Sequence, residues 1–268
     1  MFLPLRDALP TIRFPWVTIA LILVNVLVYV VGLLPAETQV EGSTRTISRH
    51  DLWVAEYGSI PCELLGNCAN QPGSVVIDGG LFDTTPRTVL AQVDQHAPAL
   101  TLITSIFLHG GLLHLLFNML FLWVYGNNVE DAMHRLGFLA FYVLAGLASG
   151  LAQALVVPNA GVPQVGASGA IAAVIGAYLV LYPRVRMWTM IIPPIPLLLW
   201  LPAWLVAGVW GITQFLATWQ SVFAPTALDG GVAYMAHFAG FALGLATVGF
   251  LADRRNPAYD ELYRSGRT

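Results

Sequence analysis

Four polar side chains lie in stretches otherwise suited to hydrocarbon: His114, Asn118, Ser168 and His237. Strongly polar groups at membrane depth are costly, which makes them functional candidates first. A serine hydroxyl beside a histidine is the nucleophile–base pair of acyl transfer, with the imidazole taking the hydroxyl proton. A carboxylate commonly orients such a histidine. The only acids near a span end, Glu130 and Asp131, fall at the opposite end from Ser168, so the expected unit is a Ser168–His237 dyad. His114 and Asn118 sit four apart, share one helix face, and with the backbone N–H of Ser168 could bind the oxyanion of a tetrahedral intermediate. An amide bond in the membrane or at its outer boundary is the substrate that this chemistry suits.

Bringing Ser168 to His237 requires two helices to pack closely. Ser168 stands in Gly166-Ala167-Ser168-Gly169 and opens an apolar run, where its bland role would be a helix cap. Ala172 and Gly176 continue a small-residue stripe behind it, and His237, Gly240 and Gly244 form another, the glycines as G-x-x-x-G. Packing the two stripes together would carry His237 to Ser168. His109, five residues before His114, lies in a glycine-flanked turn and reads as structural, and the isolated amides Asn25 and Gln153 read as interhelical hydrogen-bonders.

The composition sets the surroundings. Over 268 residues, 57% are apolar and 10% charged, with a formal net charge of −3 and no lysine. Soluble domains carry about 25% charged residues, so a soluble enzyme or a nucleic-acid binder is excluded and an all-α polytopic membrane protein is expected. Apolar runs occupy Val17–Leu34, a broken stretch Ala99–Tyr125, Leu136–Val157, Ala167–Tyr182, Met187–Trp219 and Val232–Ala252. Spanning helices need about 20 such residues. The first run is too long for a signal-peptide core and reads as a retained helix. Pro193, Pro194, Pro196 and Pro202 make the start of the fifth run a poor helix, leaving Ala203–Trp219 as its span. With six crossings, nine arginines fall on one face and only Arg45, Arg49 and Arg87 on the other. The positive-inside rule then places both termini in the cytoplasm, and His114, Ser168 and His237 all lie near the outer ends of even-numbered spans.

The expected organisation is a cytoplasmic segment 1–16, a first helix 17–34, an external loop 35–98, a catalytic core of helices two to six over 99–252, and a cytoplasmic tail 253–268. The loop holds Cys62 and Cys68, spaced C-x5-C. On an oxidising side they suit a disulfide; two free thiols, or half a metal site with His50 or His96, are the alternatives. No dinucleotide, P-loop or paired-cysteine zinc motif occurs, so neither cofactor nor metal is expected.

The segments His109-Gly110-Gly111-Leu112-Leu113-His114-Leu115-Leu116-Phe117-Asn118, Gly126-Asn127-Asn128-Val129-Glu130, Gly166-Ala167-Ser168-Gly169-Ala170 and Ala236-His237-Phe238-Ala239-Gly240, with Gly244 beyond, resemble the rhomboid family of intramembrane serine proteases. The likeness runs from about Thr104 to Ala252. It implies a six-helix rhomboid-like bundle in the cell membrane, opening to the external side and cutting transmembrane segments of other, typically single-pass, proteins within the lipid bilayer. Ser168 would be the nucleophile and His237 the base. His114 and Asn118 would line the oxyanion hole, and Glu130 would tie the loop after the second span. His109, Gly166, Gly169, Gly240 and Gly244 would be structural motif positions. The resemblance also implies lateral access near the fifth span, under a cap at about Gln220–Gly231.

Two positions depart from the family pattern. Leu100-Thr101 stands where many members have Trp-Arg, and Ala172 where many have an aromatic beside the catalytic imidazole. Tyr178 and Tyr234 are the sequence-proximal candidates for orienting His237. The alternatives are a protein that binds transmembrane helices without cutting them, and a transporter using His114 and His237 as relays. Both key residues of the dyad are present, against the first, and no repeats or paired broken helices occur, against the second.

Overall fold

The computed structural model describes residues 2–33, 38–39, 46–47, 49–66, 68, 74–77, 87–90, 97–191, 196–223, 233–253 and 256–264. The chain opens with a strand β1 (Phe2–Asp7) and the apolar helix α1 (Trp16–Leu33). In the segment that follows, two short antiparallel pairs are described, β2 (Thr38–Gln39) with β3 (Thr46–Ile47) and β4 (Ser74–Ile77) with β5 (Arg87–Leu90). Between these pairs lie α2 (Arg49–Tyr57) and α3 (Pro61–Leu64). The bundle proper is α4 (Pro98–Thr104), α5 (Leu112–Met133), α6 (Arg135–Val156), α7 (Ser168–Leu181), α8 (Ala203–Phe223) and α9 (Tyr234–Leu251), with α10 (Pro257–Arg264) after it. Strands β6 (Arg186–Ile191) and β7 (Leu197–Pro202) join α7 to α8.

Four helices, α1, α5, α6 and α9, are long and apolar enough to cross a membrane. Their outward faces are apolar: Leu23 and Leu27 of α1, Leu144 and Leu155 of α6, and Phe250 of α9 are exposed. A soluble protein rarely exposes such continuous apolar surface, whereas lipid-facing helices require it. The inward composition is different. From Gly169 to Tyr178 every residue of α7 is buried, and this stretch holds small or aliphatic residues up to its closing tyrosine. Its 14 residues rise about 21 Å, so α7 is a short central post with α5, α6, α8 and α9 packed around it.

The fold is not wholly helical. The proline-bearing stretch expected to be a poor helix forms the β6–β7 hairpin, and β1 adds to β6 to make a three-stranded antiparallel sheet in the order β1–β6–β7. Prolines block helix here, and Pro196 and Pro202 sit at the ends of β7, where a strand tolerates them. Register aligns Arg6, Trp188 and Trp200 across the sheet, and the Arg6 guanidinium lies over both indoles at 5.4 and 5.3 Å. The end of β1 meets α7 far from Ser168. There the Tyr178 hydroxyl donates to Asp7 Oδ2 at 2.6 Å and Asn128 Nδ2 donates to the same oxygen at 2.8 Å. Enclosure of Asp7 at this junction pushes its carboxyl up to about 6.

Two local findings refine the expectations. The apolar run around the second span ends at Tyr125, but α5 continues to Met133 because Asn128, Glu130 and Asp131 are buried in its last turns. Glu130 is therefore inside a helix and ties α1 instead of a following loop. Its carboxylate accepts from the backbone N–H groups of Val17 (3.0 Å) and Thr18 (2.8 Å) and from the Thr18 hydroxyl (2.8 Å). These are the unpaired donors of a helix start, and a carboxylate there also opposes the helix dipole. Cys62 and Cys68 are joined in a disulfide with their Cα atoms 4.8 Å apart. About half of the expected external loop and most of the cap at Gln220–Gly231 lie outside the described residues, as do His96 and Arg45.

Candidate active site

Three helices begin at nearly the same place in their own sequence relative to the polar groups. His114 is in the first turn of α5, Ser168 is the first residue of α7, and His237 is in the first turn of α9. Each helix start leaves backbone N–H groups without intrahelical acceptors, so the cluster forms where partial positive charge gathers. Ser168 is half-buried, as are His114 and His237, whereas Asn118 is buried.

Close packing of α7 against α9 makes the central contact. A Cβ on Gly240 would stand 2.9 Å from Ser149 Oγ and 3.1 Å from the Gly169 carbonyl carbon, with the carbonyl oxygen nearer still. At Gly244 it would meet the carbonyl carbon of Ala173 at 2.8 Å. Only glycine allows these backbones to touch. One turn from Gly240, His237 Nε2 lies 2.7 Å from Ser168 Oγ. The capping role is absent: the residue preceding α7 is Ala167, no side chain caps that helix, and the serine hydroxyl is engaged with the imidazole.

His114 and Asn118 join from α5. Gly166 has φ +128°, a conformation that side chains disfavour, and a Cβ there would lie 2.9 Å from Nε2 of His114 and 3.6 Å from Ser168 Oγ. The glycine therefore lets His114 approach the serine. Its backbone N–H donates to the Ser105 carbonyl at 2.9 Å, which pins the loop before α7 to the turn after α4. Asn118 Nδ2 is buried with no hydrogen-bond partner among the described residues. A buried amide donor left unpaired is costly unless a reacting oxygen supplies its acceptor. His109 is buried beside His114, with ring centroids 5.2 Å apart.

The far nitrogen of His237 is held from α8. His237 Nδ1 lies 2.9 Å from Oε1 of Gln214, and the Trp210 indole, one turn earlier, flanks the imidazole with centroids 6.2 Å apart. Neither sequence-proximal tyrosine has this position. Tyr178 is spent on Asp7 at the other end of α7, and no hydrogen bond joins Tyr234 to His237 among those described. Sequence reasoning does not single out Gln214, although a signal exists: it is a strongly polar amide within the apolar run Ala203–Trp219. Gln153 also has a defined task, its Oε1 accepting from the backbone N–H of Ala236 at the start of α9. Asn25 donates to the Leu21 carbonyl of its own helix at 2.7 Å and also meets the Tyr142 hydroxyl of α6.

This arrangement sets a serine hydroxyl against one imidazole nitrogen and an amide oxygen against the other, with the His114 ring across Gly166 from the hydroxyl, a pairing that can do nucleophile–base chemistry. Among the described residues no three His, Cys, Asp or Glu side chains gather as a metal site.

Comparison with known proteins adds an independent line. The Rhomboid domain family matches residues 97–254, more than half of the chain and all of the cluster. Over 78 residues the chain is 42% identical to the rhomboid protease GluP of Bacillus subtilis, covering 29% of this chain and 15% of that protein. It is 40% identical over 78 residues to RHOMBOID-like protein 5 of Arabidopsis thaliana, covering 29% and 25%. It is 27% identical over 167 residues to the mitochondrial rhomboid protein 1 of Saccharomyces cerevisiae, covering 59% and 44%. The chain thus spans less than half the length of each of these relatives.

Proposed function

The chain belongs to the rhomboid family, and from that premise we propose that it is an intramembrane serine endopeptidase. It hydrolyses peptide bonds in or near transmembrane segments of other membrane proteins through Ser168 and His237. The observation that carries this reading is the 2.7 Å contact between Ser168 Oγ and His237 Nε2, made at the start of a buried helix.

In the first half-reaction Ser168 Oγ attacks the scissile carbonyl carbon while its proton passes to His237 Nε2. The carbonyl π electrons move to oxygen. The Ser168 backbone N–H, with Asn118 Nδ2 and His114 of α5, is the donor set assigned to that oxyanion, and donors fixed in place before reaction stabilise it most effectively. The intermediate collapses as the C–N bond breaks and His237 returns its proton to the leaving amine. Water then repeats the sequence on the acyl-serine: its proton goes to Nε2, its oxygen bonds carbon, and the protonated imidazole restores the Ser168 hydroxyl. No cofactor is required.

The six helices α1, α5, α6, α7, α8 and α9 form the membrane bundle, with residues 99–252 as its catalytic core. Both termini lie in the cytoplasm and the site faces the external side of the cell membrane, in keeping with the arginine distribution. A hydrocarbon layer is about 30 Å thick and α7 rises only about 21 Å. With its base at the inner boundary, Ser168 sits roughly 10 Å below the outer one, deep enough for a helical substrate and shallow enough for water.

The test is a reporter with one transmembrane helix, reconstituted in liposomes with the protein. Wild type yields two defined fragments, and Ser168→Ala and His237→Ala yield none. Cleavage that survives both substitutions overturns the proposal, and reporter binding without cleavage by folded wild type moves the reading to a helix-binding protein.

A further inference from the structure

A Ser–His pair works only when the histidine presents its lone pair, not its proton, to the serine. Nothing in the dyad fixes which imidazole nitrogen carries the hydrogen, and the aromatic that commonly sits four residues after the serine is here Ala172, whose side chain is a methyl group. We propose that Gln214 of α8 is the positioning residue of the site, setting the tautomer and ring plane of His237 so that Nε2 accepts the proton of Ser168. This rests on the serine-protease reading and extends it from a dyad to a Ser168–His237–Gln214 array with a neutral third member.

Hydrogen-bond polarity carries the argument along four residues. Thr213 Oγ1 donates to the Trp210 carbonyl at 2.6 Å, so its hydrogen is already used and its lone pairs face outward. Gln214 Nε2 makes a longer contact, 3.4 Å, with that oxygen. An amide has one donor end and one acceptor end, so the end toward His237 is the carbonyl Oε1, 2.9 Å from Nδ1. A carbonyl oxygen cannot donate, hence Nδ1 carries the hydrogen. Nε2 is then left with a lone pair facing Ser168 Oγ at 2.7 Å. Had the amide been turned over, its NH2 would select the opposite tautomer and leave the serine without a base.

The surroundings fit this role. Gln214 is half-buried on the inward side of α8, while its neighbours Ile212, Thr213, Phe215 and Leu216 are exposed. An amide facing the bundle among lipid-facing residues would be a liability if it bonded nothing. The Trp210 indole, four residues earlier and so on the same helix face, limits the imidazole's freedom to swing. As Ser168 loses its proton the ring becomes an imidazolium, and Oε1 then faces a positively charged N–H, a stronger partner than the neutral one. A neutral acceptor suits this depth better than an ionised carboxylate, whose desolvation is far more expensive. Amide acceptors also serve as third members in papain-like sites. Because the holder stands on α8 and the nucleophile on α7, the array is complete only while α8 is seated against α9.

The test uses full-length protein with Gln214→Met, which keeps the length but removes the acceptor, and Gln214→Glu, which keeps an acceptor oxygen. Each is scored for fluorophosphonate labelling rate, for kcat and KM on a transmembrane reporter, and for the His237 tautomer by 15N NMR of ring-labelled histidine, assigned with His237→Ala. Gln214→Met is expected to label and turn over about 10- to 100-fold more slowly, the loss of one hydrogen bond to a charged group, with KM unchanged. Its His237 spectrum changes from the Nδ1–H form to a mixture. Gln214→Glu recovers most of the rate and retains the Nδ1–H form. A Gln214→Met protein that labels at the wild-type rate with an unchanged tautomer overturns the assignment. If wild type neither labels nor cleaves, the protease reading falls, while the tautomer comparison still decides whether Gln214 positions His237.

Discussion

Replacing Gly240 by alanine tests whether the α7–α9 contact is what brings base to nucleophile. The added Cβ would lie 2.9 Å from Ser149 Oγ and 3.1 Å from the Gly169 carbonyl carbon, with the carbonyl oxygen nearer. Carbon contacts settle at about 3.5–4.0 Å, so the two helices must part by about 0.5–1 Å. Gly169 adjoins Ser168, and Gly240 is three residues from His237, so this displacement acts almost directly on the 2.7 Å dyad. An extra 1 Å carries it to about 3.7 Å, beyond hydrogen-bonding range. Misplacement of this size costs about 100-fold in rate, and overpacking costs about 1–3 kcal/mol in stability. Gly244→Ala meets Ala173 in the same way two turns from His237, so it should lose similar stability and less reactivity. Gly249→Ala, on the same helix with nothing within 4 Å of the new Cβ, should lose neither. The assay is fluorophosphonate labelling rate beside thermal unfolding for the three variants. Gly240→Ala that labels within about threefold of wild type, well short of the 100-fold expected, refutes the argument.

Three further outcomes are expected. Glu130→Ala removes the acceptor of three bonds at the start of α1 and should lower unfolding free energy by about 2–3 kcal/mol, measured by thermal unfolding in detergent, with little change in serine labelling. Asp7 holds its proton to about pH 6 in the fold against 3.8 ordinarily, so the folded state binds the proton more tightly than the unfolded state. Stability is then greatest below pH 4 and declines as pH rises through 6, by up to about 3 kcal/mol; Asp7→Asn should flatten that decline in a pH series of unfolding curves. Gly166→Ala places a side chain at φ +128° and 2.9 Å from the His114 ring. It should slow labelling by about 100-fold, the scale of losing one oxyanion donor, which labelling kinetics would measure.

Much of the site was legible because polar groups are rare in this chain. Ser168, His237, His114 and Asn118 stand out against hydrocarbon, and the spacing of Gly240 and Gly244 from His237 already paired two helices. The membrane class was equally plain from 57% apolar content. What escaped had a physical reason in each case. The β6–β7 hairpin follows from tertiary pairing with β1, nearly two hundred residues away, which no local pattern reports. The resemblance assigns Glu130 to the loop after the second span, whereas its carboxylate holds the start of α1, a contact across more than a hundred residues that no local pattern reports. Gln214 lies twenty-three residues before its partner, between exposed residues on either side, so only the packing of α8 on α9 reveals its role.

The most direct measurement is exposure of purified, folded protein to a fluorophosphonate probe, with the adduct mapped by mass spectrometry in wild type, Ser168→Ala and His237→Ala. An adduct on Ser168 of wild type, absent from both variants, is the expected result. Folded wild type that stays unlabelled, or a His237→Ala protein that labels as fast as wild type, would contradict a serine activated by His237.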